Sequence, residues 1–203
     1  MTRGSTGTAP TLVPGAQRDE AISRLRVPAL GELTPEVRTF LDGVVERRGR
    51  VPNPIRAQTL LRDSVVRSAD LVGSLLAPET SELSQGEREL IGVVVSAANG
   101  CVACLLTHVQ ALAGIIEDPV HAMRIGLGYR HVRLSDRERA IADFAEQLTL
   151  SPGQVEDDHL TPLREAGLSD EGLLEVVSIT AAFNYLNRLS SGMGIVPEDA
   201  LFA

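Results

Sequence analysis

Helix-start signals recur along the chain, and they constrain its fold more than any other feature. Residues 84–87 (Ser-Gln-Gly-Glu) and 135–138 (Ser-Asp-Arg-Glu) both have the spacing of a capping box, which satisfies backbone N–H groups of a first helical turn. Thr34-Pro35 combines an N-cap with a proline at the first helical position, and Ser169 is a further N-cap. Alternation of apolar and polar residues, which is typical of β-strands, is weak throughout. We therefore predict an all-α fold.

The predicted helices begin near such signals and end near glycine or proline. Their ranges are 35–48, 55–61, 65–76, 85–98, 102–113, 120–125, 136–148 and 170–190, with Thr161-Pro162 within a helix or at a break. Residues 1–20, rich in small and polar side chains, are expected to form a flexible N-terminal tail. Residues 21–203 are expected to form a single helical domain.

Both cysteines of the chain lie in one short segment, Cys101-Val102-Ala103-Cys104, and His108 follows four residues later. The preceding Asn99-Gly100 is a turn signal, so the segment is predicted to open a helix. Positions i, i+3 and i+4 share a helix face, which makes Cys104 a neighbour of both Cys101 and His108. The two Cα atoms are then about 5–6 Å apart, a separation that a disulfide allows. The partial positive charge at a helix start also stabilises a thiolate. We therefore interpret the segment as a redox site.

Other interpretations of the cysteines fit the sequence less well. A structural zinc site usually adds a second ligand pair, and His121, His131 and His159 do not have the required spacing. Haem attachment needs a histidine directly after the second cysteine, where this chain has Leu105. Free cysteines can also be small buried apolar residues, but a pair in phase with a histidine favours chemistry.

Composition narrows the function classes. A net charge of −8 and a pI near 5.0 argue against nucleic acid and anionic membranes as partners. The chain has no lysine, which excludes Schiff-base chemistry on a lysine side chain. No apolar run reaches the ~18 residues of a membrane span.

The start of the sequence lacks the apolar stretch of a secretory signal, and the two cysteines suit a reducing compartment, so we expect a cytoplasmic protein. No flavin, haem or nicotinamide signature is present, and no cofactor is expected.

Two pairs of segments resemble each other within the chain: residues 83–91 with 134–142, and residues 97–101 with 181–185. The similarity indicates either an internal duplication of a helical motif or a chance likeness between capped helices. If the chain contains a duplication, the second copy lacks the candidate active-site residues, because Ala140 replaces Glu89 and other residues replace both cysteines. One active site per chain would remain.

Glu89, the Cys101-x-x-Cys104 pair and His108 together resemble the core of alkylhydroperoxidase D, within the carboxymuconolactone decarboxylase-like superfamily. Residues 50–54 (Arg-Val-Pro-Asn-Pro) and 182–188 (Ala-Phe-Asn-Tyr-Leu-Asn-Arg) resemble its peroxidase-related subgroup. The resemblance extends from about Leu25 to the C-terminus. It implies an AhpD-like helical bundle that assembles into a homo-oligomer, either a trimer or a multiple of one, or a dimer.

The resemblance also implies thiol-dependent reduction of hydroperoxides. By position, Cys104 would be the peroxidatic thiol, Cys101 the resolving thiol, His108 the base and Glu89 part of the proton relay. An external dithiol or a protein reductant would supply the electrons. From the residues alone, the helix start favours Cys101 as the more acidic thiol, whereas proximity to His108 favours Cys104.

The sequence departs from this family at Ala103, where well-studied peroxidases of the type carry a second histidine. A relay that needs that imidazole would be broken, so either the peroxidase activity is weak or the protons pass through water and Glu89 alone. Three other functions stay open: a disulfide oxidoreductase or redox sensor without peroxide turnover, a decarboxylase-like enzyme on the same fold, and a metal-binding or structural oligomer. The cysteine pair counts against the decarboxylase, because such relatives do not need it.

Overall fold

A computed structural model describes residues 21–77 and 80–202 of the chain. Within these residues the secondary structure consists of nine α-helices and short 3-10 turns, with no β-strand. The all-α prediction is therefore confirmed. The predicted tail, residues 1–20, lies outside the described residues, and the division into tail and domain stays a prediction.

The helices follow the predicted order and begin within two residues of the predicted starts, while several of them end two or three residues away from the predicted ends. They are α1 (Pro35–Arg48), α2 (Asn53–Gln58), α3 (Ser64–Leu76), α4 (Gln85–Ala98), α5 (Val102–Ile116), α6 (Pro119–Gly128), α7 (Asp136–Leu150), α8 (Asp157–Glu165) and α9 (Asp170–Met193). Helix α2 starts before the predicted Ile55, because Pro54 lies in its first turn, where a missing N–H costs nothing. Pro162 lies within α8.

Four predicted N-caps are confirmed by their hydrogen bonds. The hydroxyls of Ser84 and Ser135 accept from the backbone N–H three residues ahead, and Glu87 and Glu138 complete the two capping boxes. Thr34 accepts from the Val37 backbone N–H. The Ser169 hydroxyl caps α9 through two backbone N–H groups. Each such cap stabilises its helix by about 1 kcal/mol, which explains why the helix starts are readable from sequence.

Helix α6 runs past Gly126, where its end was predicted. A Cβ added at Gly126 would lie 2.8 Å from Cγ2 of Val109 in α5, so this glycine is required for close packing of the two helices. The glycine signal is genuine, and its cause is a helix–helix contact rather than a helix end.

The main hydrophobic core surrounds α4. Residues 90–96 of this helix are all buried, which is the pattern of a helix covered on every side. It packs against α5, α6, α7 and α9. Among the described residues, no helix combines the length and apolar character that crossing a membrane requires.

A second, smaller core lies in the N-terminal part of the chain. It contains Leu33, Val37, Leu41 and Val65, from α1, α3 and the segment before α1. Glu198, near the C-terminus, ties this part to the rest of the protein through Arg50, at 2.9 Å, and the backbone N–H of Asn53. The N-terminal helices α1–α3 thus have their own packing, and α3 lies against α9 of the main bundle.

Candidate active site

The turn between α4 and α5 places the two cysteines. Gly100 has φ +64°, in the left-handed region that favours glycine, and it allows the chain to reverse within two residues. The Asn99 side chain donates hydrogen bonds to Asn184, at 3.0 Å, and Asn187, at 3.1 Å, both in α9. The predicted Asn-Gly turn is therefore fixed to the longest helix, and the start of α5 is fixed with it.

The sulfur atoms of Cys101 and Cys104 lie 2.6 Å apart, and both thiols are free. Cys101 is 4% exposed and Cys104 is 8% exposed. Cys101 is the residue before the first turn of α5, and Cys104 lies at the third position of the helix. The geometry brings the pair within a small displacement of a disulfide, as the helical spacing predicted.

The pKa of Cys101 is lowered to about 6, chiefly because a hydrogen bond from the Cys104 thiol stabilises its thiolate. The Cys104 backbone amide, Ser191 and His108 lower it further, while desolvation opposes them. The same hydrogen bond and burial raise the pKa of Cys104, against a lowering effect of Ser190 and Asn187. These contacts therefore favour the negative charge on Cys101 over Cys104.

His108 and Glu89 form a pair between α5 and α4, with His108 Nδ1 2.8 Å from Glu89 Oε2. Both side chains are about 15% exposed. The Glu89 carboxylate favours the tautomer that carries its proton on Nδ1, which leaves Nε2 as the nitrogen that can act as a base. His108 follows Cys104 by one helical turn, so the structure brings together all four residues that the sequence singled out.

Gly92 makes room for His108. A Cβ added at Gly92 would lie 2.9 Å from His108 Cγ and 2.9 Å from the Phe183 ring. The two rings contact each other edge to face, with their centroids 4.4 Å apart. Gly92 lies one turn after Glu89 in α4, so Glu89, Gly92 and Phe183 together hold the imidazole in one orientation.

Gly92→Ala is expected to push His108 away from Glu89. We expect the free energy of unfolding to fall by about 1–3 kcal/mol, which is typical of overpacking a core. The reaction of the thiols with peroxide should slow as well, because the imidazole is displaced. Urea unfolding and stopped-flow thiol oxidation measure the two effects.

Gly114→Ala in α5 is the matched control, since a Cβ there meets no atom within 4 Å. It should leave both quantities unchanged or raise stability slightly, because alanine favours helix. Equal effects of the two substitutions would show that Gly92 has no special role in placing His108.

A cavity of about 350 Å³ lies between the N-terminal helices and the main bundle. One wall is formed by α5 and α9, with Cys104, His108 and Phe183 among its residues. The other wall comes from α1, α2 and α3. Cys101 does not line this cavity. Because Cys104 lines the cavity, it is the thiol that a molecule in the cavity would contact. Cys101 is the more acidic thiol, because its pKa is lowered.

Several residues beside the thiols were not identified from the sequence. Asn187 and Ser190 of α9 are almost completely buried and line the cavity with Cys104. The Asn187 side chain donates to Ser96 at 3.2 Å and accepts from Asn99. The available signal was a polar pair three residues apart on the buried face of a largely apolar helix. The two residues between the cysteines are Val102 and Ala103, so this segment carries no second imidazole, and Ala103 is buried.

No group of three or more His, Cys, Asp or Glu side chains in the described part of the chain is arranged to hold a metal ion. The three remaining histidines lie on other helices and turns: His121 in α6, His131 in the 3-10 turn after it, and His159 in α8.

Comparisons with known proteins identify the family and agree with the fold. Residues 68–120 match the carboxymuconolactone decarboxylase family. An uncharacterized peroxidase-related protein from Ralstonia eutropha JMP134, described as an alkylhydroperoxidase AhpD core, is 31% identical with a TM-score of 0.82, over 90% of this chain and 96% of that one. An uncharacterized peroxidase-related protein from Silicibacter sp. TM1040 is 28% identical with a TM-score of 0.84, over 92% and 97% of the two chains.

The debrominase Bmp8, crystallised as a cysteine-to-alanine variant in complex with 2,3,4-tribromopyrrole, has the same fold. It is 19% identical to this chain with a TM-score of 0.73, over 91% of this chain and 95% of that one. At this identity the likeness concerns the fold alone.

Proposed function

Because the chain belongs to the AhpD-like group of the carboxymuconolactone decarboxylase family, we propose that it is a thiol-dependent peroxidase that reduces hydroperoxides with Cys101 and Cys104. One observation carries the proposal: two sulfur atoms lie 2.6 Å apart, and one of them shares a cavity with a histidine held by a carboxylate. This arrangement combines a nucleophile, a second thiol to close a disulfide, and a base.

In the first step His108 takes one proton from the thiol pair. The Cys104 sulfur attacks the terminal oxygen of the hydroperoxide, the O–O bond breaks, and the alkoxide leaves with its bonding electrons. The imidazolium of His108 returns the proton to the alkoxide, which becomes an alcohol. Cys104 is now a sulfenic acid, and Glu89 has kept the histidine oriented through both transfers.

In the second step Cys101 attacks the sulfur of the sulfenic acid. The S–S bond forms, and hydroxide leaves with the proton of Cys101 as water. One hydroperoxide thus becomes one alcohol and one water while two thiols become a disulfide. The chain has no other cysteine, so an external dithiol or a protein reductant restores the thiols by exchange. The hydrogen bond between the sulfurs lets either thiol carry the charge, which reconciles the acidity of Cys101 with attack by Cys104.

A disulfide oxidoreductase is the second candidate. The lowered pKa of Cys101, the thiol nearer the helix start, favours it, and so does the buried Ala103 between the cysteines. Steady-state consumption of hydroperoxide separates the two functions. A peroxidase turns over repeatedly with an excess of dithiol, whereas an oxidoreductase exchanges disulfides with proteins and consumes peroxide only stoichiometrically.

The test of the proposal counts thiols after one equivalent of hydroperoxide. Two thiols should disappear per chain, with an intramolecular Cys101–Cys104 disulfide in the mass spectrum. The reaction should accelerate as the pH is raised through about 6, because below the pKa of Cys101 the pair is neutral and unreactive. Two remaining thiols, or dimers joined between chains, would contradict the proposal. The homo-oligomer and the cytoplasmic location expected from the sequence stay predictions.

A further inference from the structure

The cavity beside Cys104 is mostly apolar. Its lining includes Pro54, Ile55, Val72, Leu76 and Leu186, and its volume of about 350 Å³ is in the usual range of ligand pockets. Such a space is too large and too apolar to be explained by hydrogen peroxide, which resembles two water molecules. It fits the body of an organic hydroperoxide.

One permanent charge lines this cavity. Besides the reactive thiol and His108, the only ionisable lining residue in the described part of the chain is Arg48, and no carboxylate is among them. Arg48 is the last residue of α1, and Gly49 ends the helix in the left-handed conformation. The cation therefore lies on the N-terminal wall of the cavity, while the thiol lies on the α5–α9 wall.

The neighbouring arginines show that this placement is particular to Arg48. Arg50 forms an ion pair with Glu198 at 2.9 Å. Arg47 lines a separate surface depression with Phe40 and Asp70. Arg48 has no ion pair with any residue that the structure describes. In a chain with a net charge of −8, a cation that is free to meet a ligand selects for a negative group.

We propose that the substrate is an organic hydroperoxide that bears a carboxylate, with its carboxylate on Arg48, its apolar body in the cavity and its hydroperoxide group at Cys104. This inference rests on the proposed peroxidase function and names its substrate class. The carboxylate takes no part in the reaction. The hydroperoxide is reduced to a hydroxy acid, and the cysteine pair is oxidised to the disulfide, with one water released.

A binding experiment that needs no turnover tests the carboxylate site. Decanoate and decan-1-ol are compared for protection of the reduced cysteine pair against alkylation by iodoacetamide. Decanoate should protect the wild type at roughly tenfold lower concentration than the alcohol, because a charge-assisted hydrogen bond to arginine adds to the apolar contact. Arg48→Gln should remove that advantage and leave protection by the alcohol unchanged. Arg48→Lys should restore part of it.

A kinetic experiment tests the same site during the reaction. The ratio of kcat/KM for a hydroperoxy fatty acid to that for its methyl ester should fall roughly tenfold in Arg48→Gln. Arg47→Gln is the matched control: it removes a neighbouring charge outside the cavity and should leave the ratio at the wild-type value.

The outcomes separate the two proposals. Peroxide turnover without preference for the acid, or with a preference that survives in Arg48→Gln, overturns the carboxylate site and leaves the peroxidase intact. Protection by decanoate through Arg48 without any peroxide turnover supports the carboxylate site and overturns the peroxidase. Equal protection by decanoate and decan-1-ol in the wild type overturns the carboxylate site whatever the activity.

Discussion

Cys104→Ser is expected to abolish hydroperoxide reduction, with a loss of about 10³-fold or more in the rate of the first step, because a hydroxyl is not a comparable nucleophile. Cys104 is the thiol that lines the cavity, and Cys101 does not reach it. Cys101→Ser should instead allow one equivalent of peroxide to react and then stop. The variant has lost the second thiol that closes the disulfide.

Trapping of sulfenic acid with dimedone measures this difference. Cys101→Ser should give an adduct on Cys104, because the Cys101 sulfur, which raises the pKa of Cys104, is gone as well. Cys104→Ser should give none. An adduct on Cys101 in Cys104→Ser would reverse the two roles and would mean that acidity, not access, decides which thiol reacts. Circular dichroism of both variants serves as the control for folding.

His108→Ala is expected to slow thiol oxidation at neutral pH by about 10²–10⁴-fold, the usual contribution of a general acid–base. In the proposed mechanism the imidazole takes the thiol proton and returns it to the leaving alkoxide. The charge of His108 also lowers the pKa of Cys101. Raising the pH should recover part of the loss, because hydroxide then removes the proton. The measurement is the pH profile of single-turnover oxidation in stopped flow.

Two further variants test whether the loss of rate is specific to the His108–Glu89 pair. Glu89→Gln keeps the shape of the side chain and removes its charge, so it should produce a smaller loss in the same direction. His131→Ala removes an exposed histidine far from the thiols in sequence and should leave the profile unchanged. Superimposable profiles for His108→Ala and the wild type would make His108 a packing residue and leave thiolate formation to the helix start.

Local features of the fold were predictable because local forces decide them. Hydroxyl caps at Thr34, Ser84, Ser135 and Ser169 fix helix starts within a few residues, and all four are present in the structure. The Cys-x-x-Cys spacing likewise determines that two thiols meet, since both lie on one helical turn. The pairing of His108 with Glu89 joins two helices, so periodicity alone did not give it. It came from the resemblance to a family.

The cavity could not be predicted, because it depends on how distant segments pack. Residues 50–54 and 182–188 resemble the family in sequence, but nothing in either segment predicts that both form cavity wall, through Pro52 and Pro54 on one side and Phe183 and Asn187 on the other. The role of Gly126 was equally unpredictable from the sequence. A glycine at a helix contact and a glycine at a helix end look identical in one sequence, and only the neighbour at 2.8 Å distinguishes them.

The two separate cores have a consequence for how this protein could change over evolution. The helices around α4 bury the side chains that hold the thiols, while α1–α3 pack around Val37 and Leu41. If the proposed function is correct, a substitution on the cavity face of α1–α3 would change which molecule fits the cavity and leave the packing around the two thiols in place. The N-terminal wall of the cavity can therefore vary in sequence while the wall that carries Cys104, His108 and Phe183 stays the same.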